Sequence, residues 1–254
     1  MSDLDSAIEQ VLQKIPKNIK RLGVLTGAGI SNESGIPTFR GNDGLWKNYR
    51  PEELATPEAF RKNPVLVWEW YEMRRQIIKN AKPNLAHITL VEMEEFFEEF
   101  LLVTQNVDGL HEKAGSKNVV EIHGNIWKAR CTFCGHKEFL DTPLNEIPPK
   151  CTKCSSLMRP DVLWFGEMYD IKILNSIQEF FDGADIIFII GSSGQVYVPV
   201  YIAKQAQMKG AFILEINPER SYYSEFAEVV LNFKSAEALP KLWKSFKSQL
   251  QKIQ

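Results

Sequence analysis

The stretch GAGISNESGIPTFR at residues 27–40 follows the apolar run LGVLT at residues 22–26, and this junction decides the fold. A short apolar run of this kind is typical of a buried strand. Gly27 and Gly29 allow the chain to turn tightly behind it, and clustered backbone N–H groups at such a turn favour a bound pyrophosphate. A glycine pair after a strand is weak evidence by itself, because other tight turns also need glycine.

The loop differs from the fingerprint of nicotinamide-dependent dehydrogenases. That fingerprint continues as G-x-G-x-x-G and places an acidic residue about 20 positions later, at the end of the next strand. Here Asn32 stands at the third glycine position, the next glycine is Gly35, and residues 46–50 have no strand pattern. The loop therefore predicts a dinucleotide site that serves something other than hydride transfer.

Strand and helix patterns alternate along most of the chain. The predicted strands are Leu22–Thr26, Phe100–Thr104, Val119–Ile122, Asp185–Ile190 and Phe212–Ile216. The predicted helices are Leu4–Ile15, Asn84–Phe97, Ile171–Phe181, Val200–Met208 and Ala236–Leu250. This order predicts an α/β fold with a doubly wound, mostly parallel, Rossmann-like sheet.

Two segments interrupt the alternation. Residues 36–83 read as a loop followed by helices, and residues 125–158 contain all four cysteines. We predict that these segments form a smaller domain, with residues 1–35, 84–124 and 159–254 forming the Rossmann-like domain.

The cysteines form two C-x-x-C pairs, Cys131 with Cys134 and Cys151 with Cys154. This spacing is typical of a zinc ribbon, in which four thiolates close a tetrahedral shell and leave no position for a catalytic water. We therefore predict a structural Zn²⁺ site. Redox pairs or disulfides are the alternative, and His136 is expected to be a surface residue rather than a ligand.

Composition limits the remaining classes. The chain has 254 residues, 44% of them hydrophobic, and a net charge of −2, so no global basic field indicates nucleic acid as a partner. The first residues, MSDLDSAIEQ, lack a secretory pattern, and no apolar run is long enough to span a membrane. We expect a cytoplasmic protein without a membrane partner.

Three further motifs follow predicted strands: TQNVDGLH at residues 104–111, VEIHGN at residues 120–125 and GSS at residues 191–193. Ligands of open α/β sheets bind at such strand ends. Together with the first loop, RPDVLWFGE at residues 159–167, INPE at residues 216–219 and the cysteine pairs, these motifs resemble the sirtuin family of NAD-dependent protein-lysine deacylases.

The resemblance implies that NAD binds between the two domains as a co-substrate. The residues implied to bind it are Gly27, Ala28, Gly29, Ile30, Ser31, Pro37, Phe39, Arg40, Trp46, Gln105, Asn106, Val107, Asp108, Gly191, Ser192, Ser193, Asn217, Pro218, Glu219 and Ser235. The family usually has a glycine near the adenine pocket, and here the segment at residues 233–236 offers Ser235 in its place.

The resemblance also implies that three residues are catalytic. His123 would be the general base, a role suited to an imidazole with a pKa near neutrality. Asn106 and Asp108 would orient the nicotinamide and its ribose, although an Asx turn explains the same residues without catalysis. In the implied reaction the acyl oxygen attacks the ribose carbon as nicotinamide leaves, and His123 then activates a ribose hydroxyl.

The implied substrate is an acyl-lysine protein or peptide. Residues 162–167, including Val162, Phe165, Gly166 and Glu167, would provide an extended edge to which a peptide adds as a strand; a plain core strand is the alternative.

Tyr71 and Arg74 bear on which acyl group is removed. They lie three residues apart on a predicted helix that begins at Pro64. In one sirtuin subgroup this pair holds the carboxylate of succinyl- or malonyl-lysine, which suits a guanidinium fork. A packed tyrosine beside a solvated arginine is the alternative.

Three other functions stay open at the sequence level. A protein ADP-ribosyltransferase would cleave the same glycosidic bond but pass ADP-ribose to protein. A zinc-ribbon binding module would have no activity, which the set of His123, Asn106 and Asp108 argues against. A dehydrogenase would reduce the cofactor, which the departure of the first loop from the fingerprint disfavours.

Overall fold

A computed structural model of the protein describes residues 3–39, 50–140 and 143–252. The strands are β1 (Arg21–Thr26), β2 (Glu99–Thr104), β3 (Val119–Glu121), β4 (Gly124–Cys131), β5 (Lys137–Phe139), β6 (Met158–Val162), β7 (Ile186–Ile190), β8 (Phe212–Ile216) and β9 (Val229–Leu231). The α-helices are α1 (Asp3–Lys14), α2 (Gly29–Asn32), α3 (Pro51–Leu54), α4 (Pro57–Lys62), α5 (Pro64–Asn80), α6 (Leu85–Phe96), α7 (Leu110–Ala114), α8 (Ile171–Asp182), α9 (Tyr197–Met208) and α10 (Ser235–Gln251).

Six of the described strands form a parallel sheet with the order β3-β2-β1-β7-β8-β9. The order runs outward in both directions from the β1–β7 pair, so this is the doubly wound sheet that the sequence predicts. Strand β9 was not predicted, because three apolar residues are too few to show a strand period.

Helices cover both faces of this sheet, because alternate residues of the buried strands point to opposite sides. Side chains such as Val24 and Phe188 pack with α1, α6 and α10. Side chains such as Leu25 and Ile187 pack with α8 and α9. Burial on both faces explains why β7 reads IIFII without a polar residue.

A second, antiparallel sheet has the order β5-β4-β6 and packs with α3, α4 and α5 around Trp68, Tyr71 and Trp164. Helix α5 begins at Pro64, and Asn63 caps it by accepting from the Leu66 N–H. This is the smaller cysteine-bearing and helical part that the sequence predicts. The boundaries given above for the two domains stay a prediction.

In the part of the chain that the structure describes, no helix is both long and apolar enough to cross a bilayer.

Candidate active site and metal centre

A cavity of about 740 Å³ lies at the carboxyl ends of the parallel strands and extends to the smaller sheet. It is the place that the topology predicts, because the strand order reverses beside β1. The predicted site residues that line it are Gly27, Ala28, Gly29, Phe39, Tyr71, Arg74, Gln105, Asn106, Val107, His123, Val162, Phe165, Gly166, Glu167, Gly191, Ser192, Ser193, Asn217, Pro218, Glu219 and Ser235.

The loops after β1 and β7 touch through their backbones. The Gly27 N–H donates to the Ile190 carbonyl at 3.0 Å, and the Gly29 N–H donates to the Gly191 carbonyl at 2.8 Å. A Cβ on Gly29 would lie 2.7 Å from the Gly191 Cα, so no side chain fits between the loops. The glycines are therefore needed for the contact between the two loops, a reason that the sequence did not indicate.

His123 lies between β3 and β4, where the chain passes from one sheet to the other. Its Nδ1 is 3.0 Å from the Gln105 carbonyl, which can only accept, so Nδ1 carries the proton. Nε2 is therefore the acceptor nitrogen, and it lies 2.8 Å from the Tyr169 hydroxyl. The pKa near neutrality expected for His123 was wrong, because burial lowers its pKa to about 4. The imidazole is therefore neutral near pH 7 and able to accept a proton.

Asn106 and Asp108 meet Ser31 behind the first glycine loop. The Asn106 amide donates to the Gly27 carbonyl at 3.1 Å and to the Ser31 hydroxyl oxygen at 3.2 Å. The Ser31 hydroxyl donates in turn to Asp108 Oδ2 at 2.7 Å. This chain of hydrogen bonds ties the loop after β2 to the loop after β1.

Asp108 itself lies behind the cavity wall. Its Oδ1 accepts from the Leu110 N–H at 2.9 Å, which is the contact of an Asx turn. Burial raises the pKa of Asp108, against the hydrogen bonds from Leu110 and Ser31. A catalytic role for Asp108 stays a prediction, and its contacts position Ser31 and the start of α7.

Ile30, Ser31 and Pro37 are also not among the lining residues: Ile30 is fully buried in the core, and Ser31 has 1% exposure. Arg40 and Trp46, two further predicted cofactor residues, lie outside the described residues.

Tyr71 and Arg74 share the buried face of α5. The Arg74 guanidinium lies 4.8 Å from the Phe39 ring centroid, 4.7 Å from that of Trp70 and 5.6 Å from that of Tyr71. The Trp164 indole N–H donates to the Tyr71 hydroxyl at 2.9 Å. The alternative of a solvated arginine is thus wrong, because Arg74 has 6% exposure and is held among aromatic faces.

The segment after β6 differs from the extended edge that the sequence predicts. Strand β6 ends at Val162, and the Glu167 N–H donates to the Trp164 carbonyl at 3.0 Å. Gly166 has a φ of +84°, a conformation that favours glycine. The prediction of extended backbone to Glu167 was wrong beyond Trp164, because this turn returns Glu167 to Arg159.

Glu167 fixes that turn. It accepts from the Trp164 N–H at 2.8 Å and pairs with Arg159, whose guanidinium lies 3.3 Å from the Trp164 ring centroid. Its distance to Arg130 is 3.1 Å. These neighbours lower the pKa of Glu167 against the effect of its burial, so the carboxylate stays charged.

The far end of the cavity is also organised by side chains. Gln105 donates to the Ser192 hydroxyl oxygen at 2.9 Å, and Asn217 donates to the Ser192 carbonyl at 3.0 Å. Glu33 accepts from the Ala236 N–H at 2.8 Å and from the Ser235 hydroxyl at 3.2 Å. Glu33 therefore holds the first turn of α10 against the first glycine loop.

Sequence reasoning missed several lining residues: Glu33, Thr38, Trp70, Trp164, Tyr169, Arg220 and Lys234. Trp164 lies inside a motif that the sequence singled out, so its position could have suggested a role. Tyr169 carried no signal, because a single tyrosine before a helix has no distinctive pattern.

The four cysteine sulfurs come together on the turns next to β4 and β6. All four lie within 4.8 Å of one another, and three of the Sγ–Sγ distances are 3.4, 3.5 and 3.7 Å. Zn–S bonds of about 2.3 Å in a tetrahedron place sulfurs about 3.8 Å apart, so the cluster fits one zinc ion. The cysteines are not in disulfides, and His136 is not part of the cluster.

Comparisons with known proteins agree with this site. The sequence pattern of the Sir2 family matches residues 27–198. An NAD-dependent protein deacylase of Leptospira interrogans is 49% identical over 237 residues, covering 92% of this chain and 96% of the relative. An NAD-dependent protein deacylase of Aquifex aeolicus is 52% identical over 220 residues, covering 86% and 92%.

Solved structures give the same result. A mutant Sir2 homologue in complex with ADP-ribose superposes with a TM-score of 0.91 at 42% identity, covering 96% of this chain and 98% of the other. A Sir2 homologue in complex with NAD superposes with a TM-score of 0.88 at 43% identity, covering 95% and 94%. The chain belongs to the Sir2 family, as its motifs predict.

Proposed function

We propose that the protein is an NAD-dependent protein-lysine deacylase. The observation that carries the proposal is the neutral imidazole of His123, which presents Nε2 in the same cavity as the backbones of Gly27–Gly29 and Gly191–Ser193. The relatives named NAD-dependent protein deacylase support it, as do the Sir2 structures with NAD and ADP-ribose.

The residues of the cavity fit NAD in an extended form. The glycine turns leave room for close approach of the pyrophosphate, while the N–H groups of Gly27, Gly29 and Gly191 already donate to main-chain carbonyls. Ser192, Ser193 and Asn217 offer hydroxyl and amide groups to the adenosine side. Bound NAD would supply a ribose carbon that bonds to the acyl oxygen as nicotinamide leaves, and a ribose hydroxyl that later attacks the acyl group.

His123 acts in the second part of this reaction. With NAD bound, its Nε2 would take the proton of the ribose hydroxyl, and the Gln105 carbonyl, which accepts from Nδ1–H, would stabilise the imidazolium. Asn106 holds the Gly27 carbonyl and Ser31, so its role is to keep the first loop in place for the ribose.

The peptide part of the substrate is proposed to bind beside β6. Among the described strands, β6 pairs only with β4, so its outer edge is proposed to accept an added strand. Val162 leads from that edge into the cavity, and Phe165 is 48% exposed at the turn that follows.

The acyl group is proposed to be acidic, with acetyl as a smaller alternative substrate. Trp164 donates to Tyr71, which leaves the proton of the phenol for an acceptor, and burial keeps the pKa of Tyr71 raised. A carboxylate between this hydroxyl and the Arg74 guanidinium would receive charge-assisted hydrogen bonds. Succinyl- or malonyl-lysine has such a carboxylate at its end.

The cysteine cluster is proposed to hold a structural zinc. The backbone N–H groups of Phe133 and Cys134 donate to the Cys131 sulfur at 3.4 Å. The backbone N–H of Lys153 donates to the Cys151 sulfur at 3.4 Å. Such donors stabilise thiolates. Four thiolates complete the shell, so the metal has no place in the reaction itself.

A mass-spectrometric assay with NAD and matched acetyl-, succinyl- and malonyl-lysine peptides tests the function. We expect free lysine and nicotinamide in equal amounts, and almost complete loss of turnover in His123→Ala. A folded, zinc-loaded protein that deacylates none of these peptides would contradict the proposal. Transfer of labelled adenosine from NAD to protein would instead indicate an ADP-ribosyltransferase.

A further inference from the structure

The nitrogen of His123 that would accept the proton already has a partner. The Tyr169 hydroxyl lies 2.8 Å from Nε2, and the two ring centroids are 5.7 Å apart. Because Nδ1–H is directed at the Gln105 carbonyl, Nε2 carries the lone pair and Tyr169 is the donor. Burial raises the pKa of Tyr169 to about 12, so the phenol keeps this proton.

Tyr169 belongs to the segment between β6 and α8. The next residue, Asp170, caps α8 by accepting from the Lys172 and Ile173 N–H groups. The Tyr169 ring packs on the buried cluster between the main sheet and α8 and α9, and it lines the same cavity as His123. Its preceding neighbour, Met168, is 91% exposed. The ring is therefore supported on one side and directs its hydroxyl to the base.

We infer that Tyr169 is a positioning residue that occupies Nε2 of His123 until a ribose hydroxyl takes its place. This inference rests on the proposed function. A neutral imidazole has a single acceptor lone pair, so Nε2 accepts one hydrogen bond at a time. A general base needs its substrate proton donor within about 2.6–3.2 Å, which is the position that the Tyr169 hydroxyl holds.

Two consequences follow from this exchange of donors. Before the cofactor arrives, the hydroxyl holds the imidazole with its lone pair toward the cavity. During turnover, the ribose hydroxyl must displace a buried hydrogen bond before His123 can act. The variant Tyr169→Phe removes the hydroxyl and keeps the ring. It should therefore raise the rate of the step that needs His123 and leave the rate of nicotinamide departure nearly unchanged.

The contact is tested without catalysis by NMR on protein labelled with ¹⁵N-histidine. In the NAD-free protein, Tyr169→Phe should shift the Nε2 resonance of His123, whereas Tyr201→Phe should not. Tyr201 is the matched control, because it is 47% exposed on α9 and is not among the residues that line the cavity. An unchanged Nε2 resonance in Tyr169→Phe would overturn the inference.

The displacement is tested by comparing two rates with one acyl peptide. Exchange of labelled nicotinamide into NAD reports the step that precedes the action of His123. Formation of the deacylated peptide reports the step that needs His123 as a base. The net free energy of one hydrogen bond corresponds to about a fivefold change in a rate or equilibrium constant. We expect the ratio of lysine release to exchange to rise by about that factor in Tyr169→Phe and to stay constant in Tyr201→Phe.

The failures of the two proposals are distinguishable. If the wild-type protein neither exchanges nicotinamide nor frees lysine, the proposed function fails. If it does both and the ratio in Tyr169→Phe is equal to or lower than that of the wild type, the function stands and the role of Tyr169 is overturned.

Discussion

The proposed role of Arg74 depends on the residues that surround it. Three aromatic rings surround its guanidinium, and these contacts replace part of the hydration that burial removes. Burial of Arg74 lowers its pKa, against the opposing effects of Tyr71 and Asp108. A buried cation beside the cavity is costly unless it is paired with an anion, and this supports the proposal that the acyl group is negatively charged.

Arg74→Met should separate acidic from neutral acyl groups. We expect kcat/KM for succinyl-lysine peptide to fall roughly ten- to a hundredfold, the value of a charge-assisted hydrogen bond, while acetyl-lysine peptide changes little. The control is Lys79→Met, which removes a positive charge from an exposed position of the same helix. Steady-state assays of both peptides measure the effect, and equal losses would mean that Arg74 serves only packing.

At the scale of elements, the β1–α2 and β7–α9 connections form one unit. Gly191 has a φ of +62°, and a Cβ there would lie 2.3 Å from the Ile30 nitrogen. Hydrogen bonds from Gly27 and Gly29 cross between the two connections. Each loop therefore holds the other, and a cofactor that binds both would find them already in place.

Gly191→Ala should lower both the thermal stability and the affinity for NAD. The control is Gly210→Ala, because Gly210 also has a positive φ, +105°, but nothing lies within 4 Å of its added Cβ. Backbone strain alone costs about 1 kcal/mol, and the overlap adds about 1–3 kcal/mol.

Calorimetry of unfolding and titration with NAD measure the two effects. We expect NAD binding to weaken at least tenfold in Gly191→Ala and to be unchanged in Gly210→Ala. Equal behaviour of the two variants would show that the contact between the loops has no energetic importance.

At the scale of the whole molecule, the cysteine cluster is connected to the cavity through the smaller sheet. Strand β4 runs from the residue after His123 to Cys131, and β6 ends at Val162 in the cavity wall. The Leu163 N–H donates to the His123 carbonyl at 2.8 Å. A metal that holds the far ends of these strands therefore stabilises the positions of His123 and of the proposed substrate edge, without touching either.

Loss of the metal should consequently remove activity by unfolding this part of the protein. Cys134→Ser is the sharpest variant, because Cys134 is exposed and its loss leaves no cavity in the core. We expect native mass spectrometry to find one zinc ion per chain in the wild type and none in Cys134→Ser. Circular dichroism should show lower thermal stability, and deacylation should be lost with it.

His136→Ala is the control for this experiment. His136 lies two residues from Cys134 but interacts with Glu138 at 3.6 Å and is not in the sulfur cluster. It should keep both zinc and activity. Zinc loss in His136→Ala, or full activity in zinc-free Cys134→Ser, would contradict a purely structural metal site held by cysteine.

Much of the architecture could be predicted because its signals are local. The apolar runs of β1, β2, β7 and β8 are buried on both faces, and such runs are recognisable without knowing their partners. The spacing of the two cysteine pairs is likewise enough to predict a four-thiolate metal site. Strand β9 and the turn at Gly166 were not predicted, since each depends on contacts with distant segments.

The candidate site also has features that the sequence predicted and features that it did not. Short-range periodicity and cysteine spacing by themselves determined the doubly wound sheet and the thiolate cluster. The choice of His123 came from the resemblance of its motif to the sirtuin family, and its role as a base stays a prediction. Only the tertiary structure decided the tautomer of His123, the aromatic enclosure of Arg74 and the contact of Tyr169 with the base. Each of these joins residues from separate segments of the chain, and such contacts form only when the chain has folded.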